Sequence, residues 1–252
     1  MLGKTIVAPA SAPGRGGVSV IRMSGANAKA IAEDMCGGLA QSWKFRKCKI
    51  KSTDGLVLDS GLVVFFESPH SYTGEDVVEF HCHGNPTIVN LIVEDVIKRG
   101  AVIAEPGEFT KTAFLNDKID LAQAESVSDL INAQSKSAVI AANSSLSGNF
   151  SSSIDLIIRG LISTRVMVEA HIDFPEEEID SDLLESISYE LSGFSKDIDR
   201  LLAEAVKSMR LREGYRVCIV GLPNAGKWTL LNTIGKESLA ITSGVPGTTR
   251  DL

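Results

Sequence analysis

Hydrophobic and polar positions divide this chain into regions of different texture. Up to about residue 118, the runs TIVA, VSVIRM, GLVLDSGLVVFFES and DVVEFHCH are β-branched and alternating or clustered, as strands are. Between them the spacing predicts helices, most clearly over 26–35 and 86–98. The second opens on Pro86, whose missing N–H costs nothing in a first helical turn, and reaches Gly100, which suits a C-cap. This first region reads as an α+β domain.

From Asp120 the sequence is rich in Ala, Ser and Leu, and over 120–148 it has no proline and no strand alternation, so helices are predicted. Ile154, Ile157, Ile158, Leu161 and Val168 then recur at helical spacing. Further on, Leu184, Ile187, Leu191, Phe194, Ile198, Leu201 and Ala205 repeat at intervals of three and four, the stripe of a helix seamed against other helices. Between these series lies DFPEEEIDSD at 173–182. Its Pro175 ends one helix, and the next is expected to begin near Ser181. The six carboxylates of that stretch read as a solvated corner, because nothing places them in a dry cleft where acid-base or metal chemistry would need them.

After LREG at 211–214, YRVCIV is a short apolar run bounded by charge and glycine, as expected of a buried parallel strand that opens a third domain. The expected organisation is an α+β domain at 1–118, an all-α helical domain at 119–213 and the start of an α/β P-loop domain at 214–252.

Composition adds limits. With 252 residues, 44% hydrophobic and 23% charged, the chain is globular rather than disordered. A formal charge of −7 argues against a surface that holds nucleic acid by bulk electrostatics. The four cysteines, Cys36, Cys48, Cys82 and Cys218, are widely separated and form no C-x-x-C pair, so reduced thiols are expected. No signal-peptide core and no run near the roughly 20 apolar residues of a membrane span is present. A cytoplasmic protein without membrane attachment is expected.

The most specific motif is Gly221-Leu-Pro-Asn-Ala-Gly226-Lys227, which follows the predicted strand and precedes the helical WTLLNTIGKE. Glycines let backbone N–H groups curl around a phosphate, the helix N-terminus adds a favourable dipole, and Lys227 neutralises outer phosphates. The next residue of a P-loop is Ser or Thr, whose hydroxyl ligates Mg²⁺; here it is Trp228, whose indole N–H only donates. Thr229 points about 100° further around the helix and is no ready substitute. Weak magnesium-dependent nucleotide binding and no hydrolysis are therefore expected. Gly247-Thr248-Thr249-Arg250-Asp251 stands where a switch loop carries its threonine, and no D-x-x-G or N-K-x-D segment follows in the sequence.

Two weaker signals stay open. His81-Cys82-His83-Gly84 carries good zinc ligands, but in a strand the two histidines share a face opposite Cys82, and structural or pocket-lining roles fit better. Gly14, Arg15, Gly16 and Gly17 suit either an anion nest or a mobile loop.

With GLPNAGK, the following LLN and GVPGTTRDL in view, the chain resembles the tRNA-modification GTPase family called MnmE or TrmE. PGRGGVSVIRMSG, SYTGEDVVEFHCHG, PGEFTKTAFLNDKIDLAQAE, IDFPEEEID and MRLREG are similar to that family's signature stretches, and the resemblance covers all 252 residues. It implies an N-terminal domain that forms a homodimer and binds 5-formyl-tetrahydrofolate, a helical domain, and a G domain inserted in the latter. It also implies work on tRNA with the FAD-dependent partner MnmG (GidA), modifying the wobble uridine at carbon 5 in a cycle driven by GTP hydrolysis and stimulated by K⁺.

On that resemblance the folate contacts fall on Arg22, Glu79 and Lys118. A pterin edge offers donors to a carboxylate such as Glu79, and Arg22 and Lys118 suit a glutamate tail or polar groups of the cofactor. The plainer possibility is that Arg22 and Glu79 simply pair across neighbouring strands. GTP contacts carry over to Asn224, Ala225, Gly226, Lys227, Thr229, Thr248 and Thr249. Potassium ligands carry over to Asn224, Ser243, Val245 and Thr248, and the second magnesium threonine to Thr249, while Trp228 breaks the pattern. No catalytic residue is assigned. Two functions follow: a tRNA-modifying GTPase, or a dimeric folate-binding module that does not hydrolyse GTP. The helical seam at Leu184, Leu191, Ile198 and Leu201 is expected to be partly exposed or used in self-association.

Overall fold

Alternation along two adjacent strands sets the layout of the N-terminal sheet. In the computed structural model, which describes residues 3–173, 181–213, 218–222 and 225–235, strand β5 (Val77–Gly84) turns Val78, Phe80 and Cys82 into the core. Its neighbour β2 (Gly16–Ser24) turns Ile21 and Met23 the same way. The register pairs Ile21 with Phe80 and Met23 with Val78, so directly opposed apolar side chains share the buried face. The residues between, Arg22 and Glu79, necessarily share the other face.

Four further strands complete the sheet: β1 (Ile6–Pro9), β3 (Arg46–Lys51), β4 (Val57–Phe66) and β6 (Val102–Ile103). The order is β3-β4-β5-β2-β1-β6, antiparallel throughout except for the parallel β1–β6 pair. Two helices cover the buried face. α1 (Ala28–Cys36) presents Ala28, Ile31, Ala32 and Met35 at helical spacing, and α2 (Pro86–Lys98) presents Val89, Ile92, Val93 and Val96. Together with Val7, Ile50, Val63 and Phe65 they form one core.

In this N-terminal region the predicted strands and α2 stand where the alternation placed them, with Asn85 capping α2 by accepting from the Thr87 amide at 2.9 Å. α1 begins two residues later than its predicted start. Arg99 takes the C-cap of α2, with Gly100 just beyond in the left-handed region at φ +100°. Asp95 is buried, yet it accepts from the Thr53 amide, the Thr53 hydroxyl and Arg99 Nε at 2.8–3.0 Å, which tie α2 to the β3–β4 turn.

α3 (Glu108–Leu115) follows the sheet, and the helical part comprises α4 (Leu121–Asn132), α5 (Lys136–Leu146), α6 (Asn149–Asp173) and α7 (Ser181–Glu213). Asp120 and Gln123 form a reciprocal capping box on α4, and the Gln123 amide also donates to the Leu146 carbonyl at 2.9 Å, joining the ends of α4 and α5. α6 and α7 meet where Thr164 Oγ1 donates to Glu190 Oε2 at 2.8 Å and where Gly160 leaves room for the Phe194 ring. Along α7, Leu184, Leu191 and Ile198 are exposed and Leu201 is half-buried. No helix among the described residues is long and apolar enough to cross a membrane.

The chain divides into two compact units, residues 1–202 and 203–252. In the second, α8 (Lys227–Gly235) forms as the P-loop pattern predicts. The buried strand expected over 215–220 is absent where the structure describes it. Residues 218–220 carry no strand pairing, Cys218 is exposed and Val220 is 92% exposed. A parallel strand is buried only when strands flank it, and no flanking strand is among the described residues of this unit.

Candidate functional site

Arg22 and Glu79 are registered partners on β2 and β5, on the sheet face opposite α1 and α2. Arg22 Nε and Nη2 both donate to Glu79 Oε1, at 2.8 and 2.7 Å. The second carboxylate oxygen, Oε2, lies 3.4 Å from His81 Nε2. With side chains 28% and 14% exposed, the ion pair is neither fully solvated nor sealed. That is the environment in which a charged pair can still take up another polar partner.

Two rings flank the guanidinium. Its carbon lies 5.3 Å from the centroid of Tyr72 and 5.9 Å from that of Phe109, within cation–π range. Tyr72 is held by a 2.9 Å hydrogen bond between its hydroxyl and that of Thr110. Phe45 meets His81 edge to face at 5.2 Å. Aromatic side chains thus border the charged pair.

Lys118 joins the site indirectly. Its ammonium donates to the Pro69 carbonyl at 3.0 Å, and Asn116 Nδ2 donates to the Thr73 carbonyl at 2.7 Å. The segment from Pro69 to Glu75, which carries Tyr72, is also pinned from the sheet by Ser24, within 2.7–2.8 Å of Thr73 Oγ1 and Glu75 Oε2. The structure therefore brings Arg22 and Glu79 into direct contact and anchors Lys118 to the loop that places Tyr72 over Arg22. Sequence reasoning missed Tyr72 and Phe109 as site residues. Both lie inside motif stretches, SYTGEDVVEFHCHG and PGEFTKTAFLNDKIDLAQAE, but only the fold sets their rings on Arg22.

The His81-Cys82-His83 stretch separates as a strand requires. His81 sits by Glu79, and exposed His83 binds Asp59 through its amide at 2.7 Å and its ring Nδ1 at 2.8 Å. Cys82 is buried in the core, where burial pushes its thiol up to about 11, away from the thiolate a metal requires. A separate cleft of about 460 Å³ lies between α3 and α4, lined by Phe114, Leu121, Val127 and Ile131, and none of Arg22, Glu79 and Lys118 borders it.

In the second unit, Lys227 Nζ donates to the carbonyls of Gly221 and Leu222 at 3.0 and 2.9 Å, folding its stem over the loop. Gly226, at φ +80°, makes the left-handed turn into α8, and Ala225 and Gly226 are exposed. Trp228 is half-buried on the first turn of α8, while Thr229 is exposed one position on. The position after Lys227 does not fit Mg²⁺, since an indole offers no lone pair to the ion. Asn224, Ser243, Val245, Thr248 and Thr249 lie outside the described residues.

Comparison with known proteins agrees on both parts. Residues 5–118 match the family described as GTP-binding protein TrmE N-terminus, and residues 121–252 match the MnmE helical domain. The tRNA modification GTPase MnmE of Neisseria meningitidis serogroup B is 47% identical over 247 residues, 98% of this chain and 55% of its own length. The proteins of the same name from Hydrogenovibrio crunogenus and Nitrosomonas eutropha are 46% identical over 248 residues and 44% identical over 247, with the same shares covered. The chain thus spans about half the length of the curated relatives it matches.

Proposed function

This chain belongs to the MnmE (TrmE) family, and from that premise we propose that its N-terminal domain binds 5-formyl-tetrahydrofolate at the Arg22–Glu79 pair. The observation that carries the proposal is the one-sided ion pair: both guanidinium contacts fall on Glu79 Oε1, and Oε2 is engaged only at 3.4 Å. A carboxylate oxygen so placed accepts from the donor edge of a pterin, and the rings of Tyr72 and Phe109 offer faces for a flat heterocycle. Lys118, on the neighbouring loop, supplies positive charge for a glutamate tail.

In this reading the folate domain, residues 1–118, forms a homodimer. It serves, with a helical domain at 119–213 and a G domain from 214, a cytoplasmic tRNA-modifying GTPase. The enzyme acts with MnmG on carbon 5 of the wobble uridine. GTP is held by Asn224, Ala225, Gly226, Lys227, Thr229, Thr248 and Thr249. K⁺ is held by Asn224, Ser243, Val245 and Thr248, and Thr249 is the remaining magnesium threonine. The names of the relatives support the GTPase and tRNA parts of this reading.

Trp228 favours a second reading, in which the same folate module operates in a chain that does not hydrolyse GTP. One set of titrations separates the two. Folate and magnesium-dependent GTP binding together support the GTPase reading; folate binding alone supports the module. A folded chain that binds no folate contradicts both.

A further inference from the structure

The core of the N-terminal domain contains a pair of thiols that neither the folate site nor the nucleotide loop uses. Cys36 is the last residue of α1, and Cys48 lies on β3, the strand at one edge of the sheet. Twelve positions apart in sequence, their sulfurs lie 3.0 Å apart. Gly37, in the left-handed conformation at φ +68°, turns the chain out of α1. Arg46 then closes the intervening segment by donating to the carbonyls of Gly37 and Gly38. The cross-strand partner of Cys48 is Gly61, which puts no side chain beside the pair.

We propose that Cys36 and Cys48 are a redox-active dithiol that a small peroxide converts to a disulfide, joining the end of α1 to the edge strand. A disulfide needs sulfurs about 2.05 Å apart, so they have only about an ångström to close. Helix end and strand already hold them facing one another. Each residue is less than a tenth exposed, so an oxidant as small as hydrogen peroxide suits the pair better than a bulky disulfide such as oxidised glutathione.

The chemistry has a natural direction. The hydrogen bond between the two sulfurs holds Cys48 below the ordinary thiol range against the effect of burial, with the Arg46 guanidinium assisting. The same bond, together with burial, pushes Cys36 up. The Cys48 thiolate attacks one oxygen of the peroxide and breaks the O–O bond. The departing hydroxide takes a proton to become water, and Cys48 becomes a sulfenic acid. The Cys36 sulfur then attacks the Cys48 sulfur, the S–S bond forms and a second water leaves with the Cys36 proton. Two thiols lose two electrons in total and one peroxide becomes two waters. The closed loop includes Phe45, whose ring meets His81 beside Glu79, so the new bond restrains a segment that touches the folate site.

The test uses the whole chain, reduced, treated with stoichiometric hydrogen peroxide, alkylated and digested for peptide mass analysis. The expected result is a Cys36–Cys48 linked peptide, loss of two of the four free thiols, a rise in Tm, and reversal of all three by dithiothreitol. In Cys36→Ser, the Cys48 sulfenic acid should persist and be trapped by a dimedone reagent, several-fold more than in the native chain. Absence of the linked peptide from the native chain, with both residues still alkylated or Cys48 carried to sulfinic acid, overturns the proposal. Equal trapping in the native chain and in Cys36→Ser also overturns it. The native peptide map needs no variant and stands if Cys36→Ser does not fold.

Discussion

Arg22 and Glu79 face each other across β2 and β5 with both guanidinium contacts, at 2.8 and 2.7 Å, on the same carboxylate oxygen. The pairing contributes to stability as well as to the candidate site. Arg22→Met leaves a mostly buried carboxylate without its cation. A charge-assisted bond is worth roughly 1.5–3 kcal/mol, reduced here by partial solvent exposure to about 1–2 kcal/mol. Urea unfolding should show the unfolding free energy falling by that amount, with Arg22→Lys recovering only part of it because a single ammonium replaces the fork.

Acid sensitivity should appear at a second carboxylate nearby. Burial works to raise Asp59, but the His83 amide and ring, with the Ser60 amide, outweigh it and hold the carboxyl below the usual range. A carboxylate depressed in the folded state contributes stability that is complete above its unfolded value, about pH 4. That stability is lost as pH falls through the lower folded value. Asp59→Asn should therefore cost stability at pH 7 and progressively less below pH of about 4, read as converging urea midpoints of variant and native chain.

Gly61 tests whether the sheet tolerates any widening beside the site. A Cβ at this position runs into the backbone carbonyl of His81, on the strand that carries Glu79. Backbone in a paired strand cannot step aside as a flexible side chain can. Gly61→Ala should lose about 1–3 kcal/mol, despite the usual benefit of replacing glycine in a strand. Thermal unfolding decides this, and an unchanged or raised Tm would show that β4 and β5 separate more easily than their register implies.

These relationships differ in how far the sequence discloses them. Strong alternation, as at Val78-Glu79-Phe80-His81-Cys82, reports strand and face at once, and Pro86 marks the start of α2. β3 was not legible because RKCKIK buries only Cys48 and Ile50 between four charged residues, so it reads as a basic surface run until β4 pairs with it. The proximity of Cys36 and Cys48, and of Tyr72 and Phe109 to Arg22, depends on chain crossings that spacing does not encode. For YRVCIV, the apolar pattern indicates a strand, but burial depends on neighbouring strands.

At the nucleotide loop the decisive position is Trp228, which follows Lys227 on the first turn of α8. On the reading of a module that does not hydrolyse GTP, adding Mg²⁺ to the native chain should leave its weak affinity for a fluorescent GTP analogue unchanged, because no hydroxyl stands at that position to bridge ion and phosphate. Trp228→Ser should introduce a magnesium dependence. Tight, magnesium-dependent binding by the native chain would remove the argument for a non-hydrolysing module.

The account depends most on folate at the Arg22–Glu79 pair, and calorimetric titration of 5-formyl-tetrahydrofolate into the native chain and into Glu79→Gln tests it most directly. The substitution keeps size and an acceptor oxygen for Arg22 but removes the charge offered to the pterin edge. The expected result is saturable binding of one folate per chain, weakened about tenfold or more in Glu79→Gln, a loss of at least ~1.4 kcal/mol. A folded native chain that binds no folate, or a Glu79→Gln chain that binds it equally well, would contradict the assignment.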